Sequence, residues 1–169
     1  MKKSIQQKIV DEIIEEQKKD PSVIAINIFG SVTLGLERPD SDVDIEIISA
    51  KAKKWQLIKK ERYGIKIDFE IWPKDKLLER IEKYPFLSYV FLEEKIVYDP
   101  EGFMKKIINK LKRYFDKHPE VVEFWEQKYK TMREAKNKGK QPENPLKVYD
   151  EAEIKFSAEH KVTRNFFRG

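Results

Sequence analysis

A chain of 169 residues, 40% hydrophobic and 12% aromatic, is long enough to bury one core and too short for several large domains. It has no cysteine and two histidines, which excludes disulfide staples, thiolate nucleophiles and Cys/His metal centres, so any metal here sits on oxygen. The formal net charge of +5 is uneven: residues 1–100 carry 18 Lys+Arg against 19 Asp+Glu, and residues 101–169 carry 17 against 11, which suits the C-terminal part to an anionic partner.

Ile5, Ile9, Val10, Ile13 and Ile14 recur at helical spacing and predict an amphipathic helix from about 3 to 18, stopped by Asp20-Pro21. Its charged, amphipathic start does not read as the apolar segment of a signal peptide. With no apolar run near the roughly 18 residues of a membrane span, a cytoplasmic protein is expected. The Lys and Glu excess, within 38% charged residues, points to a thermophile surface. Val23 to Phe29, β-branched and almost wholly apolar, reads as a central strand covered on both faces and ended by Gly30-Ser31, with a short helix over 32–37.

Asp42 to Ile48 alternates acidic and apolar residues, a strand with carboxylates on one face. Trp55, Ile58 and the lysines around them predict a helix over 51–61, with Lys51, Lys53, Lys54, Lys59 and Lys60 on its solvated side. Ile65 to Trp72 alternates again and is closed by Pro73; 74–92 reads as helix interrupted at Pro85, and 96–98 as a short strand. Two amphipathic helices follow, marked by Phe103 to Phe115 and by Val121 to Met132 with Pro119 in the first turn. After a loop over 136–145, a last helical segment carries Tyr149, Ala152, Phe156, Val162, Phe166 and Phe167. Trp55, Trp72 and Trp125 read as core residues, and His118 and His160 as packing or surface residues. The organisation expected is a domain over 1–100 and a helical region over 101–169, with their packing as one unit left open.

Asp42 and Asp44, two apart on a strand, project to one face with α-carbons about 6.5 Å apart. Asp68 lies in the second alternating strand; if the strands are neighbours, its carboxylate joins the pair, and Glu70, two residues on, is its rival. Packed carboxylates repel and call for a counter-charge. Magnesium suits hard oxygen donors, and two such ions about 3.5–4 Å apart serve an in-line displacement at phosphorus. Gly30 lets phosphate approach the backbone, and the Ser31 hydroxyl can donate to it. The plain alternative for each piece alone is a turn and a solvent-facing strand. A calcium loop starting at Asp40 is excluded by Ile45 and Lys51 at its sixth and twelfth positions.

Ile28-Phe29-Gly30-Ser31, ten residues, Asp42-Val43-Asp44-Ile45, and later Ile67-Asp68-Phe69 together resemble the DNA polymerase β-type nucleotidyltransferase superfamily, and residues 30–44 are especially similar to its minimal members, some antitoxin-like and some antibiotic-modifying. The resemblance covers about residues 1–100. It implies an α+β fold, a nucleotidyltransferase-like mixed β-sheet flanked by helices, followed by a C-terminal helical region. It further implies a magnesium-dependent nucleotidyltransferase that binds a nucleoside triphosphate such as ATP, two Mg2+ ions with nucleotide bound, and release of pyrophosphate as the nucleoside monophosphate passes to a hydroxyl acceptor. By carry-over Gly30 and Ser31 hold the triphosphate, Asp42 and Asp44 hold the metals, and Asp68 completes the site. Where many minimal members have a basic residue shortly after Gly-Ser, this chain has Val32-Thr33-Leu34 and offers Arg38. The acceptor is left open among small molecule, protein and RNA, as are a homodimer and a toxin-like partner. A non-catalytic antitoxin-like or nucleic-acid-binding protein on the same fold is the alternative.

Overall fold

Helix α1 (Ile5–Gln17) starts on a capping box: the Ser4 hydroxyl accepts from the Gln7 N–H at 3.1 Å while the Gln7 side chain accepts from the Ser4 N–H at 3.3 Å. Five strands follow: β1 (Val23–Phe29), β2 (Val43–Ser49), β3 (Gln56–Arg62), β4 (Ile65–Pro73) and β5 (Lys95–Tyr98). They form one mixed sheet in the order β3-β4-β2-β1-β5, in which β2 and β4 run parallel and every other neighbouring pair is antiparallel. Helices α2 (Lys74–Lys83), α3 (Phe103–Asp116), α4 (Pro119–Asn137) and α5 (Pro145–Phe156) complete an α+β fold. The computed structural model describes residues 2–164 and 166.

The chain divides into two compact units, Met1–Leu78 with Glu93–Ile108, and Glu79–Leu92 with Asn109–Gly169. In the first, the period-two pattern of the strands decides what is buried. Ile26 and Ile28 of β1, Ile45 and Ile47 of β2, and Ile67 and Phe69 of β4 all point to one face and pack with Ile9, Val10 and Ile13 of α1. Each such side chain contributes about 1.5–3 kcal/mol on burial. The opposite face of the same strands carries Asn27, Asp44, Glu46, Asp68 and Glu70.

Residues 51–61 are not a helix: 51–55 are loop, and β3 is an edge strand paired antiparallel with β4. The Lys, Gln, Leu and Glu residues of this stretch favour helices locally, but pairing with β4 overrides that preference. The lysines of β3 blunt an exposed sheet edge. Tyr63 and Gly64, at φ 54° and 75°, make the tight connection to β4; two consecutive positive φ angles suit the right-handed twist of a hairpin. Trp55, expected in the core, is 45% exposed beside this edge, its ring edge-on to buried Trp72 at 6.5 Å.

The expected short helix over 32–37 is a 3-10 turn of four residues, Ser31–Leu34, ended by Gly35 at φ 65°. Helix α2 stops at Lys83, and Pro85 forces two single 3-10 turns, Pro85–Leu87 and Tyr89–Leu92, where continued helix was expected.

In the second unit, Trp125 is buried and its indole N–H donates to the Phe86 carbonyl at 2.6 Å. Phe86 packs 6.2 Å from Phe156. His118 stacks on Tyr114 at 4.1 Å and His160 lies 4.6 Å from the Phe86 ring, so both imidazoles are packing groups. The last helix ends at Phe156, short of Val162; Phe166 is buried in a turn, and Phe167 lies outside the described residues. Among the described residues no helix is long and apolar enough to cross a membrane.

Candidate active site

Gly30 follows the last residue of β1 at φ 81° and ψ −159°, a conformation that side-chain-bearing residues rarely adopt. A Cβ at this position would sit 2.9 Å from the Asp44 Oδ2. Glycine is therefore required here twice, for its backbone and for the carboxylate lying against it. Ser31 opens the 3-10 turn, whose carbonyls at Gly30 and Val32 accept from the Thr33 and Gly35 N–H groups at 3.2 and 3.3 Å. A four-residue turn supplies little of the dipole that a full helix would aim at a phosphate.

Asp44 pairs with Phe29 on one side and with Asp68 on the other, across the parallel β2–β4 ladder. Residues opposite one another in neighbouring strands share a face at about 4.8 Å backbone spacing, so Asp44 and Asp68 are side by side. Asp42 stands two residues earlier, exposed, in the loop that enters β2. Glu70 is one step further along the same face, opposite Glu46, and accepts from the Trp72 indole N–H at 3.2 Å. Asp68 thus neighbours Asp44, whereas Glu70 neighbours Glu46.

The loop that delivers Asp42 is held from α1. The side-chain amide of Gln6, 1% exposed, donates to the carbonyls of Arg38, Pro39 and Ser41 at 2.9, 3.2 and 3.1 Å. The Ser41 hydroxyl accepts from the Arg38 N–H at 2.8 Å, tightening the turn further. Arg38 itself is exposed, with its guanidinium 3.7 Å from the Asp40 carboxylate.

Three features were not visible as site features in the sequence. Lys59 lies opposite Asp68 on β3 and is a cation on the acidic face; reading that stretch as helix hid it. Gln6 looked like one polar position of an amphipathic helix. The third is a buried acidic cluster next to the aspartates: the Asn27 side-chain amide donates to Glu46 at 3.0 Å and to Glu94 at 3.1 Å. Burial, and then the adjacent Glu46 carboxyl, push Glu94 well above the usual carboxylate range. Asn27 was legible only as the polar exception in an apolar strand.

Among the described residues, no three His, Cys, Asp or Glu side chains are drawn together closely enough to enclose a metal ion by themselves. The donor set nevertheless fits magnesium, which is usually held by one or two carboxylates and completes its octahedron with waters and substrate phosphates. Asp44 and Asp68 supply hard oxygens from adjacent strands, and Asp42 stands two residues before Asp44 at the entry to β2.

A family model described as a nucleotidyltransferase domain matches residues 8–98, more than half of the chain and the stretch that holds Gly30, Ser31, Asp42, Asp44 and Asp68. A protein of Methanocaldococcus jannaschii that bears the name "putative protein adenylyltransferase" is 29% identical over 118 residues, 62% of this chain and 79% of that protein. A nucleotidyltransferase-like protein from Exiguobacterium sibiricum superposes over 96% of this chain and 69% of its own with a TM-score of 0.48 at 12% identity, a likeness too distant to bear on mechanism.

Proposed function

From the premise that this chain belongs to the nucleotidyltransferase domain family, we propose that it moves a nucleoside monophosphate from a nucleoside triphosphate to a hydroxyl group, with magnesium held by Asp42, Asp44 and Asp68. The observation that carries the reading is the pairing of Asp44 with Asp68 directly beside Gly30, at a point where any side chain would collide with the Asp44 carboxylate.

In this reading the acceptor oxygen attacks the α-phosphorus, the bond from that phosphorus to the β-phosphate bridging oxygen breaks, and pyrophosphate leaves. The Asp68 carboxylate takes the acceptor's proton; the Gly30 backbone and Ser31 hydroxyl seat the triphosphate; Lys59, opposite Asp68, offsets negative charge; and Arg38, exposed and able to exchange Asp40 for phosphate, is available to the phosphate tail. Bound magnesium would polarise the phosphate oxygens and lower the charge on the leaving group. The name of the M. jannaschii relative supports ATP as donor and a protein hydroxyl as acceptor.

The test is transfer of label from each α-labelled nucleoside triphosphate, with magnesium, to the purified chain, to cell-extract protein, to RNA and to small hydroxyl compounds, with pyrophosphate measured in parallel. Expected is labelling of protein from ATP, reduced about 100- to 1,000-fold in Asp44→Asn. If no nucleotide labels any acceptor, a binding protein on the same fold replaces the enzyme.

A further inference from the structure

On the face of the sheet opposite the aspartates, and at the far end of β2, lies a cavity of about 700 Å³, within the range of about 300–1,000 Å³ typical of small-molecule sites. Its floor is aliphatic: Val23, Ile47, Ile58 and Ile71, with Phe69 between the strands. Ile58 and Ile71 are only half-buried, because α1 ends at Gln17 and leaves this part of the apolar face uncovered. Lys51, Lys53, Lys54 and Lys60 line it, and among the described residues the one acidic residue lining it is Asp20.

The wall is built in advance. The Ala50 N–H donates to the Ser22 carbonyl at 2.8 Å, the Ala52 N–H donates to the Ser49 hydroxyl at 3.3 Å, and Lys51 is ion-paired with Asp20. That pair cancels Lys51: hydrogen bonds from Lys51 and Ser22 hold Asp20 down to about 2. Lys53 and Lys54 make no ion pair among the described residues, and the Lys60 ammonium sits 5.6 Å from the Phe69 ring centroid. An apolar floor under Lys53 and Lys54, with Lys60 beside them in the field of Glu16, attracts a molecule that is greasy at one end and negative at the other. Phe69, 7% exposed and already shadowed by Lys60, presents no open ring for a nucleobase to stack on, so the floor selects an aliphatic body.

We propose that this pocket is a second binding site, for an amphipathic anion whose aliphatic body rests on Ile47, Ile58 and Ile71 and whose carboxylate or phosphate head is held by Lys53, Lys54 and Lys60. It uses none of the residues assigned to nucleotidyl transfer and stands whether or not that reading does.

Calorimetric titration of the full chain in divalent-free buffer tests it, with octyl phosphate and octanoate as probes and inorganic phosphate and octyltrimethylammonium as controls. Saturable one-to-one binding of an octyl anion is expected; which head group binds tighter separates phosphate from carboxylate sources. Both controls should bind about tenfold more weakly or worse, because each has only half of the required chemistry. The double variant Lys53→Glu, Lys54→Glu alters only solvent-facing loop charge and should weaken the octyl anion about tenfold, and Ile58→Ser should do the same from the floor. If Ile58→Ser fails to fold, the lysine variant alone decides. The proposal is overturned if neither octyl anion saturates, if inorganic phosphate or the octyl cation binds equally well, or if the lysine variant binds unchanged.

Discussion

On β2 and β4 the backbone is the same for both faces, and side-chain chemistry alone separates them. One face sets Ile45 beside Phe69, under α1, and Ile47 beside Ile71; the other sets Asp44 beside Asp68 and Glu46 beside Glu70. Burying the first set releases apolar surface from water, while crowding the second set costs repulsion that only a counter-charge relieves. Period two thus lets adjacent residues of one strand serve opposite ends, stability from Ile45 and, in the proposed function, reactivity from Asp44. The same separation predicts that damage to either face is read by a different instrument.

The sharpest contrast is between neighbours. Ile45→Ala, at a site with no exposure, should cost about 2–5 kcal/mol in denaturant unfolding. Asp44→Asn should leave the unfolding midpoint unchanged or higher, since it removes a repelling charge, even as it cuts transfer about 100- to 1,000-fold. Loss of stability in Asp44→Asn comparable to that in Ile45→Ala would break the division of labour.

Gly30→Ala comes next and should cross the divide. Its positive φ strains alanine by about 1–3 kcal/mol, and the new methyl must displace the Asp44 carboxylate, so stability and transfer should fall together. An alanine variant of full activity would remove Gly30 from the site.

The smallest effect concerns Glu94. Above the ordinary value of 4.5 the unfolded chain has released this proton while the folded chain still holds it. The native state then binds more protons than the unfolded one, and stability falls as pH rises from about 4.5 towards the raised folded value. Glu94→Gln, neutral and able to accept the Asn27 hydrogen bond through its oxygen, should flatten that decline above about pH 4.5 in parallel denaturant melts. An unchanged slope would show that the proton is held elsewhere.

Legibility in the sequence followed how local the signal is. The apolar run of β1, the alternation of β2 and β4, and the Gly30-Ser31, Asp42-Asp44 and Asp68 pattern depend on near neighbours and are readable. That Asp68 lies next to Asp44, and not beyond it, depends on strand order: β3 goes to the edge and β4 returns beside β2. Lys59 and Trp55 were misplaced for that reason, since Lys-Lys-Glu-Arg has no alternation of its own and acquires strand form only from its partner. Glu94 joins Glu46 through Asn27 across 67 and 19 residues of sequence separation, which no periodicity reports.

Gln6 qualifies the independence of the two faces. It belongs to the helix that seals the apolar side, yet its amide fastens the three carbonyls that set where Asp42 enters β2. Any shift of α1 is thereby transmitted to the loop that carries Asp42, so crevices opened in the hydrophobic layer are felt as a displaced carboxylate at the entry to β2.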